Sequence, residues 1–373
     1  MILNEEYMKL AIEMAKKGAG KVNPNPMVGA VIVKDGRVIG KGYHKQYGGN
    51  HAEVNAFENL LDNPEGATIY VTLEPCSHYG KTPPCVNKII ENKISKVVIG
   101  LLDPNPIVRG RGIKALKDAG IDVVTGVLEE ECKKLNEIFI KYIIEKKPFV
   151  VLKTAMTLDG KIATESGESK WITSEKSRKE VHKLRNKLAA IMVGVDTVIK
   201  DNPELTCRLE GGRNPIRIIV DSKLRVPMGA KVITDNLSHT IIATTELADK
   251  NKILSLEKLG VKILMIKSKK QRVDLKSLMI KLGELNIDSV LLEGGSTLNF
   301  SALEENIVDK VQIYISPKII GGKKSKTPVG GEGIKKISDA IELENMTVRY
   351  IGTDLLIEAY PIGGESSNVY RNC

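Results

Sequence analysis

Three residues with metal-binding side chains, His51, Cys76 and Cys85, and one carboxylate, Glu53, fall within a short stretch of the chain. His51-Ala52-Glu53 stands where a helical pattern begins, Pro75-Cys76 closes an apolar β-type run, and Cys85 opens the next helical pattern. An imidazole and two thiolates suit Zn²⁺, and three protein ligands leave a fourth position open to water. Zinc in such a site lowers the pKa of water toward ~7 and so makes a hydroxide nucleophile available at neutral pH. A carboxylate alongside can carry protons from that water to a departing amine, and Glu53 is the candidate. Geometry sets a condition. Positions i and i+2 lie ~200° apart on a regular helix, so His51 and Glu53 share a site only if His51 sits at the very first turn. The competing arrangement is a closed structural site with His78 as fourth ligand, which leaves Glu53 without a task.

The order His-x-Glu … Pro-Cys … Cys is that of zinc deaminases, except that eight residues separate the two cysteines here instead of two. The other thiols, Cys132, Cys207 and Cys373, have no partners by spacing, and His182 and His239 read as surface or core residues. In the second half no Gly-x-Gly-x-x-Gly follows a strand. SVLLEGGSTLNFSAL nevertheless reads as strand, Gly-Gly turn and helix start, where free amides can face a phosphate.

The elements that must position these groups form two sets. At ~100–200 residues per domain, 373 residues suggest two domains. Charged residues at 27% and hydrophobic ones at 42% exclude wholesale disorder. Aromatics at 4%, with a single tryptophan, argue against a base-stacking surface. The net charge of +10 is spread along the chain without a basic tail, which suits a phosphorylated small molecule as well as nucleic acid. Glu5 and Glu6 interrupt what would be a signal peptide's apolar core, and no apolar run approaches the ~18 residues of a membrane span. Five cysteines without a CxxC are no disulfide framework, so the expected compartment is the cytoplasm.

Tyr7, Leu10, Ala11, Met14 and Ala15 predict an opening amphipathic helix with Asn4 as N-cap. Two β-rich runs then flank Asp35-Gly36, a type I′ hairpin pair. Strands and helices alternate up to a charged helix over 128–146, so a sheet sandwiched between helices is expected. Pro148 must end that helix, and FVVLKTAMTLDG starts a new strand. The predicted domains are therefore 1–147 and 148–362, with a loose tail over 363–373. The second alternates helix 174–188, strands AAIMVGV, PIRIIVD, HTIIATT and VKILMI, helix 274–285, strand SVLLEGG and helix STLNFSALEE. VQIYISP and a hairpin, TVRYIGTDLLIEAY, close it as an antiparallel edge, and KSKKQR (267–272) reads as solvated surface.

NPNPMVGAVIV, GYHKQYGGNHAE, TLEPCSHYGKTPPC and GLLDPNPIVRGRG, in that order, resemble the cytidine-deaminase-like domain of the bifunctional riboflavin-biosynthesis deaminase–reductase family, whose own cysteine spacing is the eight-residue gap. The resemblance implies one zinc per chain on His51, Cys76 and Cys85, with Glu53 as proton shuttle. It also implies a substrate pocket from Asn23, His44, His78, Lys81, Asp103 and Asn105, where Lys81 and the imidazoles would meet a ribose phosphate. KTAMTLDGKIA, SGESKWIT, VGVDTVIKDNPELTCR and LLEGGSTL resemble the same family's reductase domain, which has a dihydrofolate-reductase-like fold and uses NADPH. That likeness implies cofactor contacts at Ala155, Trp171, Thr197, Asp201 and the loop Gly295, Ser296, Thr297, Leu298, Asn299, Phe300 and Ser301. Substrate contacts would be Lys153, Ser169, Arg185, Leu205, Arg208 and Glu293. The two arginines fit phosphate oxygens, and Lys153 is either a proton donor or a solvated strand lysine.

The function implied is deamination of 2,5-diamino-6-ribosylamino-4(3H)-pyrimidinone 5′-phosphate, followed by NADPH reduction of the ribosyl group to give 5-amino-6-ribitylaminouracil 5′-phosphate. The partner is then that phosphorylated substrate, with no nucleic acid, no membrane and, by resemblance, a homo-oligomer. Two rivals are an RNA-editing deaminase, disfavoured by the cysteine gap and the scarcity of aromatics, and a non-catalytic zinc-stabilised binding protein.

Overall fold

The computed structural model describes residues 2–77, 79, 83–106 and 108–363, in two compact units that meet between Glu145 and Lys146. The first unit runs α1 (Ile2–Lys16), β1 (Gly29–Lys34), β2 (Arg37–Tyr43), α2 (Ala52–Glu58), β3 (Thr68–Leu73), α3 (Cys85–Glu91) and β4 (Lys96–Leu101). It continues through α4 (Arg111–Asp118), β5 (Asp122–Thr125), α5 (Glu129–Leu135) and α6 (Glu137–Glu145). Its sheet has the order β2-β1-β3-β4-β5, antiparallel around β1 and parallel from β3 to β5. The β1–β2 turn takes positive φ at both Asp35 (50°) and Gly36 (73°), as a type I′ turn requires.

Period-two alternation decides which strand residues face which helices. Ala30, Ile32, Ile69, Val71, Val97 and Ile99 pack with Ala52, Ala56, Val86, Ile89 and Leu116 of α2, α3 and α4. The other face carries α1 and α5: a Cβ on Gly100 of β4 would stand 2.4 Å from Cys132 Sγ and 3.3 Å from Met8 Sδ. Gly42 of β2 lets α2 come close, since a Cβ there would lie 2.2 Å from Ala56 N. That approach seats the first turn of α2 at the sheet end.

Two local expectations change. Asn4 lies inside α1 instead of capping it, and its Oδ1 accepts the Tyr70 hydroxyl at 3.0 Å. The helix expected over 128–146 breaks at Asn136, whose buried amide accepts Met27 N–H at 2.8 Å and donates to Met27 O at 3.0 Å. Tertiary bonds to the Asn-Pro-rich loop outweigh helix continuity there.

The second unit runs β6 (Phe149–Thr157), α7 (Glu175–Lys187), β7 (Ala190–Gly194), α8 (Val195–Asp201), β8 (Ile216–Val220), α9 (Lys231–Thr234), β9 (Thr240–Thr244), α10 (Lys250–Lys258) and β10 (Lys262–Met265). There follow β11 (Ser268–Lys269), β12 (Arg272–Val273), α11 (Leu275–Glu284), β13 (Ser289–Leu292), α12 (Ser296–Glu304), β14 (Lys310–Ser316), β15 (Leu343–Ile351) and β16 (Asp354–Pro361). The main sheet has the order β10-β9-β8-β7-β13-β6-β14-β16-β15, parallel as far as β14 and antiparallel over the last two strands. Separate apolar cores cover its faces, one centred on Val150, Met192 and Leu282, the other on Ile191, Ile219 and Leu256. KSKKQR is solvent-exposed as expected, all but Ser268 lying on the surface, and within it the chain forms the β11–β12 hairpin, with left-handed Lys270 and Gln271 at its turn. AAIMVGV stops as a strand at Gly194, and Val195 already belongs to α8. Ser174 caps α7 as its side chain accepts Ser177 N–H, and both hydroxyls donate to the buried Asp354 carboxylate of β16.

Arg217 of β8 is fully buried and donates twice to Asp235, at 2.7 and 2.6 Å. Removing only the acceptor would leave the guanidinium buried and unpaired. Asp235→Ala is therefore expected to destabilise the second unit by ~3–5 kcal/mol in urea denaturation; an unchanged midpoint would refute that assignment.

Candidate active sites

In the first unit the three sulfur and nitrogen donors converge. The sulfurs of Cys76 and Cys85 lie 3.5 and 3.3 Å from His51 Nδ1, and the three ligand atoms all fall within 4.8 Å of one another. His51 is the N-cap of α2, Cys76 follows β3 and Cys85 opens α3 behind Pro84. The N-cap position meets the condition set by helix geometry, since an extended cap residue is not bound to the 100° step of the helix. Among the described residues no fourth metal-binding side chain joins the group. His78 and Lys81 lie outside the described residues.

The donor set suits zinc in its chemistry as well as its geometry. The Cys85 thiol and His51 hydrogen-bond to Cys76 and hold its thiol low, at about 4, while the hydrogen bond to Cys76 and burial push Cys85 up. Two thiols crowded together share a proton, and a divalent cation replaces it. Glu53, only 3% exposed, is pushed up to about 7 by burial and by the negative charge of Cys76. That places a carboxyl group where it can both accept and give a proton near neutrality.

A cavity of about 340 Å³ opens over this cluster, lined among others by His44, His51, Glu53, Cys76, Asp103 and Asn105. Of the residues named from sequence, Asn23 does not line it. Asp103 Oδ1 accepts the Asn105 N–H at 2.8 Å, so its carboxylate shapes the loop it sits on. His44 is buried, with Nδ1 3.0 Å from Asn50 O and Nε2 3.3 Å from Asn25 Nδ2. Burial pulls its pKa down. A neutral imidazole donating to Asn50 and accepting from Asn25 satisfies this geometry.

Sequence reasoning missed Asn25, Tyr47, Phe139 and, above all, Glu74 in the cavity wall. The buried Glu74 carboxylate accepts four backbone N–H groups: Asp103 (3.2 Å) and Gly110 (3.0 Å) on Oε2, Gly112 (3.0 Å) and Ile113 (3.4 Å) on Oε1. It thereby binds the strand end bearing Cys76 to the loop bearing Asp103 and Asn105. Nothing local signals this role, because every donor lies 29 or more residues away.

In the second unit Glu293, just past β13, receives Arg185 Nε at 3.0 Å and Nη2 at 2.9 Å, and Lys153 Nζ lies 3.9 Å away. Burial opposes ionisation of Glu293, yet Arg185 and Lys153 outweigh it and hold the carboxyl at about 2. Burial pulls the Lys153 ammonium down, so it is no solvated strand lysine. Arg185 also donates to Thr206 O at 3.0 Å, so its guanidinium bridges Glu293 and the 205–208 segment. Arg208 has 61% of its side chain exposed, with Nη2 3.5 Å from Glu204 Oε2. Leu205 is buried at a left-handed φ of 54°, and Ser169 is exposed.

The uncapped start of α12 follows Gly294-Gly295, and a Cβ on Gly295 would lie 3.7 Å from Thr197 Oγ1. Free amides there fit a phosphate-bearing cofactor. Trp171 is 58% exposed, with the Arg178 guanidinium 4.4 Å from its ring centre. Asn299 turns inward instead, donating to Pro328 O at 2.8 Å. Ala155 is half-buried on β6, and Asp201 is exposed at the end of α8.

Comparison with known proteins gives two family matches: residues 1–101 match the cytidine and deoxycytidylate deaminase zinc-binding region, and residues 148–357 match the RibD C-terminal domain. The chain is 52% identical to the riboflavin biosynthesis protein RibD of Actinobacillus pleuropneumoniae over 95% of its own length and 94% of that protein. It is 38% identical to RibD of Escherichia coli, over 95% and 98%. The crystal structure of a diaminohydroxyphosphoribosylaminopyrimidine deaminase/5-amino-6-(5-phosphoribosylamino)uracil reductase from Thermotoga maritima is 44% identical with a TM-score of 0.85, covering 96% of this chain and 99% of that one.

The chain belongs to the RibD family. It is a riboflavin-biosynthesis enzyme with a zinc-dependent deaminase unit and an NADPH-dependent reductase unit. The parallel sheet with its antiparallel edge fits the dihydrofolate-reductase-like fold expected of RibD reductase units. Among the described residues no helix is long and apolar enough to cross a membrane.

Orphaning buried amide donors costs ~1–3 kcal/mol each. Glu74→Ala is expected to lower the thermal transition of the first unit and to raise the deaminase KM, both measurable on zinc-loaded protein. Wild-type values for both would contradict the organising role of Glu74.

Proposed function

We propose that deamination takes place in the cavity over His51, Cys76 and Cys85, which together hold one zinc ion, and that Glu53 moves the protons. The observation that carries this reading is the convergence of the three donors beneath a cavity whose wall includes a buried carboxyl group. Bound there, zinc supplies water acidified enough to act as a nucleophile at neutral pH. Glu53 takes the proton released as water oxygen bonds to the pyrimidine carbon, and returns it to the amino nitrogen as the carbon–nitrogen bond breaks and ammonia departs. The substrate is 2,5-diamino-6-ribosylamino-4(3H)-pyrimidinone 5′-phosphate. Asp103 and Asn105 present carboxylate and amide groups to it, and His44 lines the same cavity.

In the second unit NADPH supplies hydride to the ribosyl C1′, giving 5-amino-6-ribitylaminouracil 5′-phosphate. The start of α12, Thr197 and Trp171 hold the cofactor, and Arg208 holds the substrate phosphate. Glu293, its charge fixed by Arg185 and Lys153, faces the sugar hydroxyls. The domains divide at Pro148, and the enzyme acts in the cytoplasm.

Glu53→Ala is expected to lower ammonia release by ~10²–10⁴-fold. Metal analysis should still find one zinc per chain, and the mutant should reduce the deaminated intermediate at the wild-type rate. A chelator should likewise stop only the first reaction. Loss of both reactions in folded, zinc-loaded Glu53→Ala would sink the two-site assignment.

The enzyme also forms a homo-oligomer. Met346, Val348 and Tyr350, all exposed, stand on one face of the edge strand β15. An open apolar edge of this kind calls for cover. Light scattering on the full chain should give a multiple of 40.9 kDa; a monomer at assay concentration would refute it.

A further inference from the structure

The segment 205–208 carries two of the residues assigned to the reductase substrate, Leu205 and Arg208, and it lies along α7. Three consecutive residues of it are fastened to that helix. Arg185 Nη1 donates to Thr206 O at 3.0 Å, the Cys207 thiol donates to His182 O at 3.4 Å, and the Arg208 N–H donates to His182 Nδ1 at 3.3 Å. His182 and Arg185 are one turn apart and so share a face of α7. Leu205, at φ 54°, needs such anchoring, since a branched side chain in the left-handed region is strained.

We propose that His182 is a positioning residue of the reductase: its neutral imidazole accepts the Arg208 backbone N–H and so aims the Arg208 guanidinium at the substrate phosphate. The inference rests on Arg208 as the phosphate-binding residue. An imidazole can accept at Nδ1 only while that nitrogen is unprotonated, which leaves the proton on Nε2. Four charged groups face it: Arg185 on its own helix, Arg208 on the clasped segment, Lys153 on β6 and Glu293 past β13. Burial, then Arg185 and Arg208, favour the neutral ring, so the clasp is intact at neutral pH and opens as the pH falls through the lowered pKa.

The test is steady-state reduction of the deaminated phosphate by the full-length, zinc-loaded enzyme. His182→Ala should raise the KM for that substrate about tenfold, with kcat within about twofold and the KM for NADPH unchanged. His182→Asn, whose Oδ1 can occupy the place of Nδ1, should restore the wild-type KM. In acid the wild-type KM should rise more steeply than that of His182→Asn, while titration of the substrate phosphate is common to both and cancels. Arg208→Ala separates the two layers of the argument. If Arg208→Ala raises KM and His182→Ala does not, the clasp is refuted and Arg208 keeps its role. If Arg208→Ala leaves KM unchanged, both assignments fall. Should His182→Ala fail to fold, the comparison of wild type with His182→Asn across pH decides, and superimposable profiles overturn the proposal.

Discussion

A carboxylate removed from water must find donors or positive charge, or give up its own charge, and both sites of this enzyme are organised by that requirement. Glu74 is satisfied by four backbone amides, and in taking them it ties Asp103 and the Gly110–Ile113 stretch to the end of β3. Glu293 is satisfied by Arg185 and Lys153, and in taking them it joins α7, β6 and the β13 turn. Glu53 is buried beside the negative charge of Cys76, and it is held near neutrality instead of being held ionised. The same residue type thus has three fates. Four amides make a scaffold, two cations make a fixed charge, and a thiolate neighbour makes a group able to exchange protons.

The sheets explain why the two sites form where they do. Cys76 and Asp103 follow the parallel strands β3 and β4, and Glu293 follows β13 in the middle of a parallel run. Loops beyond the carboxyl ends of parallel strands are free to carry function because the strands fix their roots. Helix starts complete each site: α2 and α3 bring His51 and Cys85, and α12 brings uncapped amides behind Gly294-Gly295. Close approach does the final placing, as with Gly42, where the missing side chain lets α2 settle on β2.

Arginine chemistry separates the roles that the reductase sequence left merged. Arg185 and Arg208 look alike as phosphate ligands in a linear reading. In the fold, Arg185 is 16% exposed and engaged with Glu293 and Thr206, whereas Arg208 is 61% exposed and makes one longer contact, 3.5 Å, to Glu204 at the surface. A guanidinium that is already forked onto a carboxylate has few donors left for a ligand. Arg185 thus fixes Glu293 and the Thr206 carbonyl in place.

Much of this was legible in the chain itself, because it depends on local rules. Hydrophobic period and turn chemistry marked most long elements, from the Asp35-Gly36 hairpin to the antiparallel edge, but not α10, which lies unexpected between β9 and β10. The types of His51, Cys76 and Cys85 and their places beside strand ends and helix starts pointed to a metal site, and in the fold the three donors do converge. The short elements were not legible: β11 and β12 are two residues each, too brief for any period to register. Tertiary structure alone decided the break at Asn136, the four amides on Glu74, the engagement of Arg185 and the contact between His182 and Arg208. Each is a hydrogen bond between groups far apart in the chain, where the partner's distance leaves no trace in neighbouring residues. Side-chain type announces what a group can do; whether a buried group is paired, and with what, is settled only when the chain has closed around it.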